Sequence, residues 1–190
     1  SKNFRKDPQV EKYDLCIVSQ VPNLFFEMET KDLSDLRRGV IKSQEIQAKM
    51  INRLAIEMGL SVVVAFRPQE HSKDAKKDWE KEFFEDIMKC NVEYIPHDPN
   101  QFSTYRAMDE SKIIFSTYVS TTSIDALGWG KKVVFCDFFS HCEYWTKDLQ
   151  WVLKSEKYKD FKNIVIDLLK MDKSNYHKTI KQSMLDFNPI

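Results

Sequence analysis

Four hydroxyl residues in a row, Ser120, Thr121, Thr122 and Ser123, follow a short apolar run and open a segment of helical character. Hydroxyls at a helix start lie beside backbone N–H groups that have no intrahelical acceptor, and the helix dipole adds partial positive charge there. Such a nook suits a phosphate. Hydroxyl residues are more often simply helix caps, here with Thr122 as the capping residue and Asp125 completing a capping box, and the residues alone leave both readings open. Three further short loops follow apolar runs: Ser19 to Asn23, Arg67-Pro68-Gln69, and Pro96-His97-Asp98. If those runs are parallel strands, all four loops share one edge of a sheet, the edge where open α/β folds bind ligands.

Other chemistry is absent from the pattern. No GxGxxG follows the first apolar run, and the chain has neither a GxxxxGK[ST] loop nor a GxSxG elbow, so the dinucleotide, P-loop and hydrolase signatures are excluded. His71, His97, His141 and His177 show no metal-ligand spacing; His141-Cys142-Glu143 crowds three ligand types together, but consecutive residues rarely converge on one ion. No metal is expected. Cys16, Cys90, Cys136 and Cys142 form no CxxC pair and are expected to be core thiols of a reducing compartment.

The positioning elements follow from periodicity. Tyr13 to Ser19, Ser61 to Phe66, Val92 to Ile95, Lys112 to Ser116 and Lys132 to Asp137 are short runs rich in β-branched residues. Several are apolar almost without alternation, which predicts strands covered on both faces and so a parallel sheet. Helical spacing is predicted over about 31–58, where Leu36, Val40, Gln47, Ile51, Leu54, Ala55 and Met58 share a face, and over about 74–89, where Trp79, Phe83 and Ile87 stand four apart with Phe84 and Met88 alongside. A third helix is predicted to open at Asp98-Pro99-Asn100-Gln101, with Asp98 as cap. A fourth begins around Thr122 and stops at Gly130, a residue free to adopt the left-handed conformation. Strand and helix alternate, which gives an α/β, Rossmann-like, doubly wound parallel sheet. Helices close the chain over about 146–187, with Phe161, Ile164, Val165, Leu168 and Leu169 as an apolar stripe.

At 190 residues the chain is long enough for one full-sized core and too short for two ordinary domains, so a single domain over 1–190 is expected. Twenty-nine basic residues balance twenty-nine acidic ones, which speaks against nucleic acid as a partner. No apolar stretch approaches the length of a membrane span, and the polar start of the chain does not resemble a signal peptide. A cytoplasmic location is expected.

The stretch STTSIDALGWGKKVVFCD, Ser120 to Asp137, resembles the signature of the C-terminal, nucleotide-sugar-binding domain of GT-B fold glycosyltransferases, particularly those of bacterial surface-carbohydrate biosynthesis. Its parts are a Ser/Thr run, an acidic residue followed by Ala-Leu, then Gly-Lys and a β-branched strand. The resemblance implies one half of a GT-B fold that binds a nucleotide-sugar donor for transfer to a surface glycan acceptor. It implies that Ser120, Thr121, Thr122 and Ser123 contact the diphosphate and that Asp125, standing where Glu is more frequent, accepts from ribose hydroxyls. It brings Arg67 to the phosphates, His97 with Ile95 and Pro96 to the base, and Ser19 to the donor. No catalytic base is assigned, no cofactor or metal is implied, and an N-terminal domain or partner subunit is needed for activity. Two other readings remain: half of a UDP-sugar 2-epimerase-like enzyme, and a non-catalytic α/β interaction module that docks through the aromatics between Phe138 and Trp151.

Overall fold

The computed structural model describes residues 10–20, 31–67, 79–117, 120–139 and 151–185. Within them twelve elements follow in chain order: β1 (Tyr13–Val18), α1 (Lys31–Met58), β2 (Val62–Ala65), α2 (Trp79–Ile87), β3 (Val92–Ile95), α3 (Ser103–Asp109), β4 (Ser111–Ser116), α4 (Thr121–Gly128), β5 (Lys132–Cys136), β6 (Val152–Leu153), α5 (Tyr158–Lys170) and α6 (Lys173–Leu185). The strands form one sheet in the order β3-β2-β1-β4-β5-β6. Every neighbouring pair is parallel. The sheet is therefore the doubly wound, Rossmann-like one that the apolar runs predict, and its direction of winding switches between β1 and β4.

The reason these strands lack polar alternation is visible in the packing. Leu15 and Ile17 of β1, Val62 and Val64 of β2, and Ile113 and Phe115 of β4 face a core built with α1, α2, α5 and α6. Their sequence neighbours Cys16, Val18, Val63, Ala65 and Ile114 face a second core built with α3 and α4. Side chains alternate between faces, and here both faces are apolar. The α5 stripe packs across the first core: Phe161, Val165 and Leu168 are fully buried, and the Phe161 ring lies 5.7 Å from that of Phe115.

Four local expectations change. The closing segment is not all helix, because Val152–Leu153 pairs with β5 as a two-residue edge strand, too short to show as an apolar run. Asp98 does not cap α3. Its carboxylate instead takes the N–H groups of Asn100, at 2.9 Å, and Gln101, at 3.4 Å, in a turn. The helix starts only at Ser103, after Phe102 has reversed the chain in the left-handed region at φ 50. In α2 burial takes in a carboxylate that the apolar spacing does not announce: Glu80 is buried together with Phe84 and, just beyond the helix, Met88, whereas Trp79, Phe83 and Ile87 are partly buried. In α4 the capping box is formed by Ser120 and Ser123, not by Thr122 and Asp125, and the helix runs Thr121–Gly128. Gly130 does take the expected left-handed conformation, at φ 73, and the His177 ring of α6 occupies the space a side chain would need there.

Candidate functional site

Parallel strands bring all their carboxyl ends to one edge, so the residues just past β1, β2, β3 and β4 gather there. Ser19, Arg67, His97 and the Ser120–Ser123 run all lie at this edge. The structure also shows what each of these side chains already does.

Ser120 and Ser123 are bonded to one another. The Ser123 N–H donates to Ser120 Oγ at 3.2 Å and the Ser120 N–H to Ser123 Oγ at 2.9 Å, while the Ser123 hydroxyl donates to the Ser120 carbonyl at 2.8 Å. Two of the four hydroxyl residues thus close the helix start. Thr121 is exposed and Thr122 half-buried; their N–H groups, at the first and second helical positions, precede the first helical hydrogen bond. An anion approaching α4 would meet those two residues.

One turn further, Asp125 accepts a hydrogen bond from the phenol of Tyr105 in α3, O to O 3.0 Å. Burial first, and then the Asp125 carboxylate, push the Tyr105 hydroxyl above its ordinary value, and Thr122 lies close enough to oppose that shift. The Tyr105 ring is held against Trp129, with centroids 5.2 Å apart. Tyr105 carries no signal in the sequence; only the packing of α3 against α4 brings it to the site.

Ser19 is buried, its N–H donating to the Ala65 carbonyl at 2.9 Å and its hydroxyl to Glu80 Oε1 of α2. The same carboxylate oxygen lies 3.4 Å from the backbone N–H of Arg67, so Glu80 ties the end of β1 to the end of β2. Arg67 is half-buried. His97 is half-buried as well, and among the described residues its Nδ1 is buried with no hydrogen-bond partner. Of the eight residues singled out from the sequence, Ser120 to Ser123 and Asp125 form one contiguous group, whereas Ser19, Arg67 and His97 stand on three neighbouring strand ends.

The fold has precedents among solved structures. Over 95% of its length the chain matches the crystal structure of TarM, with TM-score 0.53 and 11% identity, and it covers 33% of that chain. Over 93% it matches a Thermobaculum terrenum O-GlcNAc transferase mutant, with TM-score 0.51 and 12% identity, covering 32%. The chain thus spans about a third of the structures it resembles. At these identities the likeness is one of fold, the Rossmann-like unit with its six parallel strands. No protein-family model matches the chain and no curated protein matches it in sequence.

Between β1 and β4, at the switch in winding, lies a group the sequence reading missed. Gln20 Oε1 accepts from the Thr117 N–H at 2.6 Å, the Thr117 hydroxyl at 2.8 Å and the Ser116 hydroxyl at 3.0 Å. The Gln20 N–H donates to Gln44 Oε1 of α1 at 2.9 Å, and Gln44 Nε2 donates to Gln47 Oε1 at 2.5 Å. A chain of three buried glutamines therefore joins β4 to β1 and β1 to α1. Gln47 gave the one available signal, a polar residue in the middle of an apolar helical face. The Gln20 contacts, between residues 97 positions apart, left none.

Among the described residues no group of three or more His, Cys, Asp or Glu side chains is placed to hold a metal ion, and no helix is long and apolar enough to cross a membrane. Cys16 and Cys136 are fully buried, and burial pushes both thiols up to about 12; Cys90 is half-buried. The His141-Cys142-Glu143 run, His71, Tyr144 and Trp145 lie outside the described residues.

Proposed function

We propose that this chain is the donor-binding domain of a GT-B glycosyltransferase, holding the nucleoside diphosphate of a nucleotide-sugar while the sugar passes to a glycan acceptor. The observation that carries the reading is the grouping of Thr121, Thr122 and Asp125 at the start of α4, at the carboxyl edge of a sheet matched by two solved structures, one an O-GlcNAc transferase mutant. Donors that are already oriented cost no reorganisation when charge develops on a departing diphosphate. The first turn of α4 supplies N–H groups and hydroxyls, and Arg67, past the end of β2 with β1 between it and β4, adds a guanidinium suited to forked bonding of phosphate oxygens.

In this reading Asp125 takes the ribose and the loop of Ile95, Pro96 and His97 takes the base. The acceptor site and the catalytic base belong to a second domain or a partner subunit. The domain works in the cytoplasm, on a donor whose charge is offset by helix dipole and basic side chains without a divalent ion.

The test is thermal denaturation of the chain with UDP, GDP, CDP and CMP, repeated on Thr122→Ala and Arg67→Ala. A ligand selective for the native state must stabilise it. A rise in Tm with one nucleotide, lost in both variants, is expected. No rise with any nucleotide, in a chain that folds normally, would sink the reading.

A further inference from the structure

An aspartate on a helix surface turns about two side-chain bonds, and its reach is one methylene short of a glutamate's. To read a hydroxyl on a ligand it needs something to hold it, because each freely rotating bond fixed on binding weakens the complex. Asp125 has such a holder. The Tyr105 phenol donates to its Oδ2 at 3.0 Å, and the ring carrying that phenol is packed against Trp129.

The helix that delivers Tyr105 is itself pinned to the carboxyl edge of the sheet. The Thr104 hydroxyl donates to the carbonyl of Phe66, just past β2, at 3.3 Å. The Asp98 N–H donates to Ser103 Oγ at 2.7 Å, and the Ser103 N–H returns to the Asp98 carbonyl at 3.2 Å. Phe102 sits between them in the left-handed region, a conformation a bulky residue keeps only where its surroundings over-determine it. Tyr105 follows three residues later, on a helix whose start is fixed from both sides.

We infer that Tyr105 is a positioning residue that occupies one oxygen of Asp125 and orients the other toward the ligand's sugar, making the site selective for ribonucleotides over their 2′-deoxy counterparts. The inference rests on the donor-domain reading and adds to it a residue and a selectivity. A site built to pair with a hydroxyl discriminates strongly against the analogue that lacks it, but only while its acceptor is held in place. Tyr105 does the holding and touches no ligand.

The experiment measures apparent affinities of UDP, GDP and CDP, each against its 2′-deoxy form, by thermal shift on the wild-type chain, Tyr105→Phe, Asp125→Asn and the double variant. Phenylalanine keeps the ring and its packing on Trp129, and urea denaturation checks that each variant is folded. The wild-type chain is expected to prefer one ribonucleotide over its deoxy form by roughly tenfold, about one well-made hydrogen bond. Tyr105→Phe is expected to bring that ratio to about two or below, any effect through the neighbouring Thr122 falling equally on the ribo and deoxy forms, and the double variant to show the same ratio as Asp125→Asn alone. A preference that survives in Tyr105→Phe overturns the inference, and so do independent, additive effects of the two substitutions. Binding without any ribose preference in the wild-type chain overturns it while leaving the donor-domain reading intact. Failure of every diphosphate to bind removes both.

Discussion

The two edges of the sheet are both polar, and they are built from opposite chemistry. At the amino edge, positive charge is abundant and already engaged. Lys112 pairs with Asp14 at 2.7 Å, Lys131 with Asp109 at 3.3 Å and Lys173 with Glu11 at 3.0 Å, while Lys132 donates to the carbonyls of Leu168 and Met171 at 2.6 and 2.5 Å. The four lysines line a cleft of about 440 Å3, yet their charges serve to fasten β4 to β1, α3 and α5 to the β5 side of the sheet, and α6 to Glu11 just ahead of β1. The carboxyl edge holds mostly neutral donors: the hydroxyls of Ser116 and Thr117 on Gln20, the reciprocal Ser120 and Ser123 pair, and the N–H groups at the start of α4. Lysine density is therefore a poor guide to where this molecule would take an anion. An amine already paired with a carboxylate offers a ligand little, whereas a helix start keeps its dipole.

The contrast can be broken most forcefully at Gln20. Replacing it by leucine leaves the Thr117 N–H and two hydroxyls without their acceptor in a buried setting, where each unsatisfied group costs about 1–3 kcal/mol and the hydroxyls can partly reorient. Gln20→Leu is expected to lower stability by on the order of 3 kcal/mol in urea denaturation with the slope unchanged. A loss below about 1 kcal/mol would mean that the switch in winding is held by something other than this amide.

At the amino edge, Lys131→Met strands the largely buried Asp109 carboxylate. Breaking a fully buried pair costs about 3–5 kcal/mol, and less where, as here, the two side chains stay 10% and 12% exposed, whereas replacing both partners by apolar residues is often close to neutral. The single variant is expected to be less stable than Lys131→Met with Asp109→Leu. Burial already lowers the Lys131 pKa, as it does for an ammonium whose partner only partly offsets desolvation. If the double variant is the weaker of the two, the amino edge depends on its charges rather than on packing.

The smallest expected effect sharpens the contrast on the outer surface. Glu57 of α1 meets Lys162 and Tyr158 of α5 at 2.8 and 2.7 Å, and Arg53 one turn back at 2.9 Å. Lys162 first, then Arg53 and Tyr158, hold its carboxyl down to about 2. A carboxylate whose pKa is lower folded than unfolded contributes stability above its ordinary value of 4.5 and loses it as pH falls toward 2. The Tm gap between the wild-type chain and Glu57→Gln is expected to be small at pH 7, screened by salt, and to close through that acid range. A gap that persists at pH 2 would show that shape, not charge, joins α1 to α5.

How much of this could be read in advance depends on whether the responsible forces are local. The Val62–Ala65 strand was legible because burial on both faces leaves an apolar run, and α1 because 28 residues carry enough turns for the helical period to stand out. The Ser/Thr run marked α4 correctly but not its cap, since any of four adjacent hydroxyl residues can play that part and only backbone geometry selects Ser120. Asp98 looked like a cap and proved to hold a turn, because the chain reverses at Phe102, where nothing in the residue type announces a left-handed conformation. Gln20 and Tyr105 were hidden for a simpler reason. Their partners are distant in sequence, and no pattern within a window of one element contains both members of either pair.

That distance sets an order of events. A sheet of parallel neighbours contains no hairpin, so every pairing must close a long loop, and non-local closures of this kind slow folding. β1 is made before every other strand of this sheet, yet its centre-line partner β4 comes after three helices and two strands; Lys112 lies 98 positions beyond Asp14. Until Thr117 has been synthesised, the Gln20 amide has nothing to hold, and the winding switch cannot form. The edge that gathers the candidate ligand contacts is thus assembled late, from one side made with β1 and another that follows 97 residues behind it.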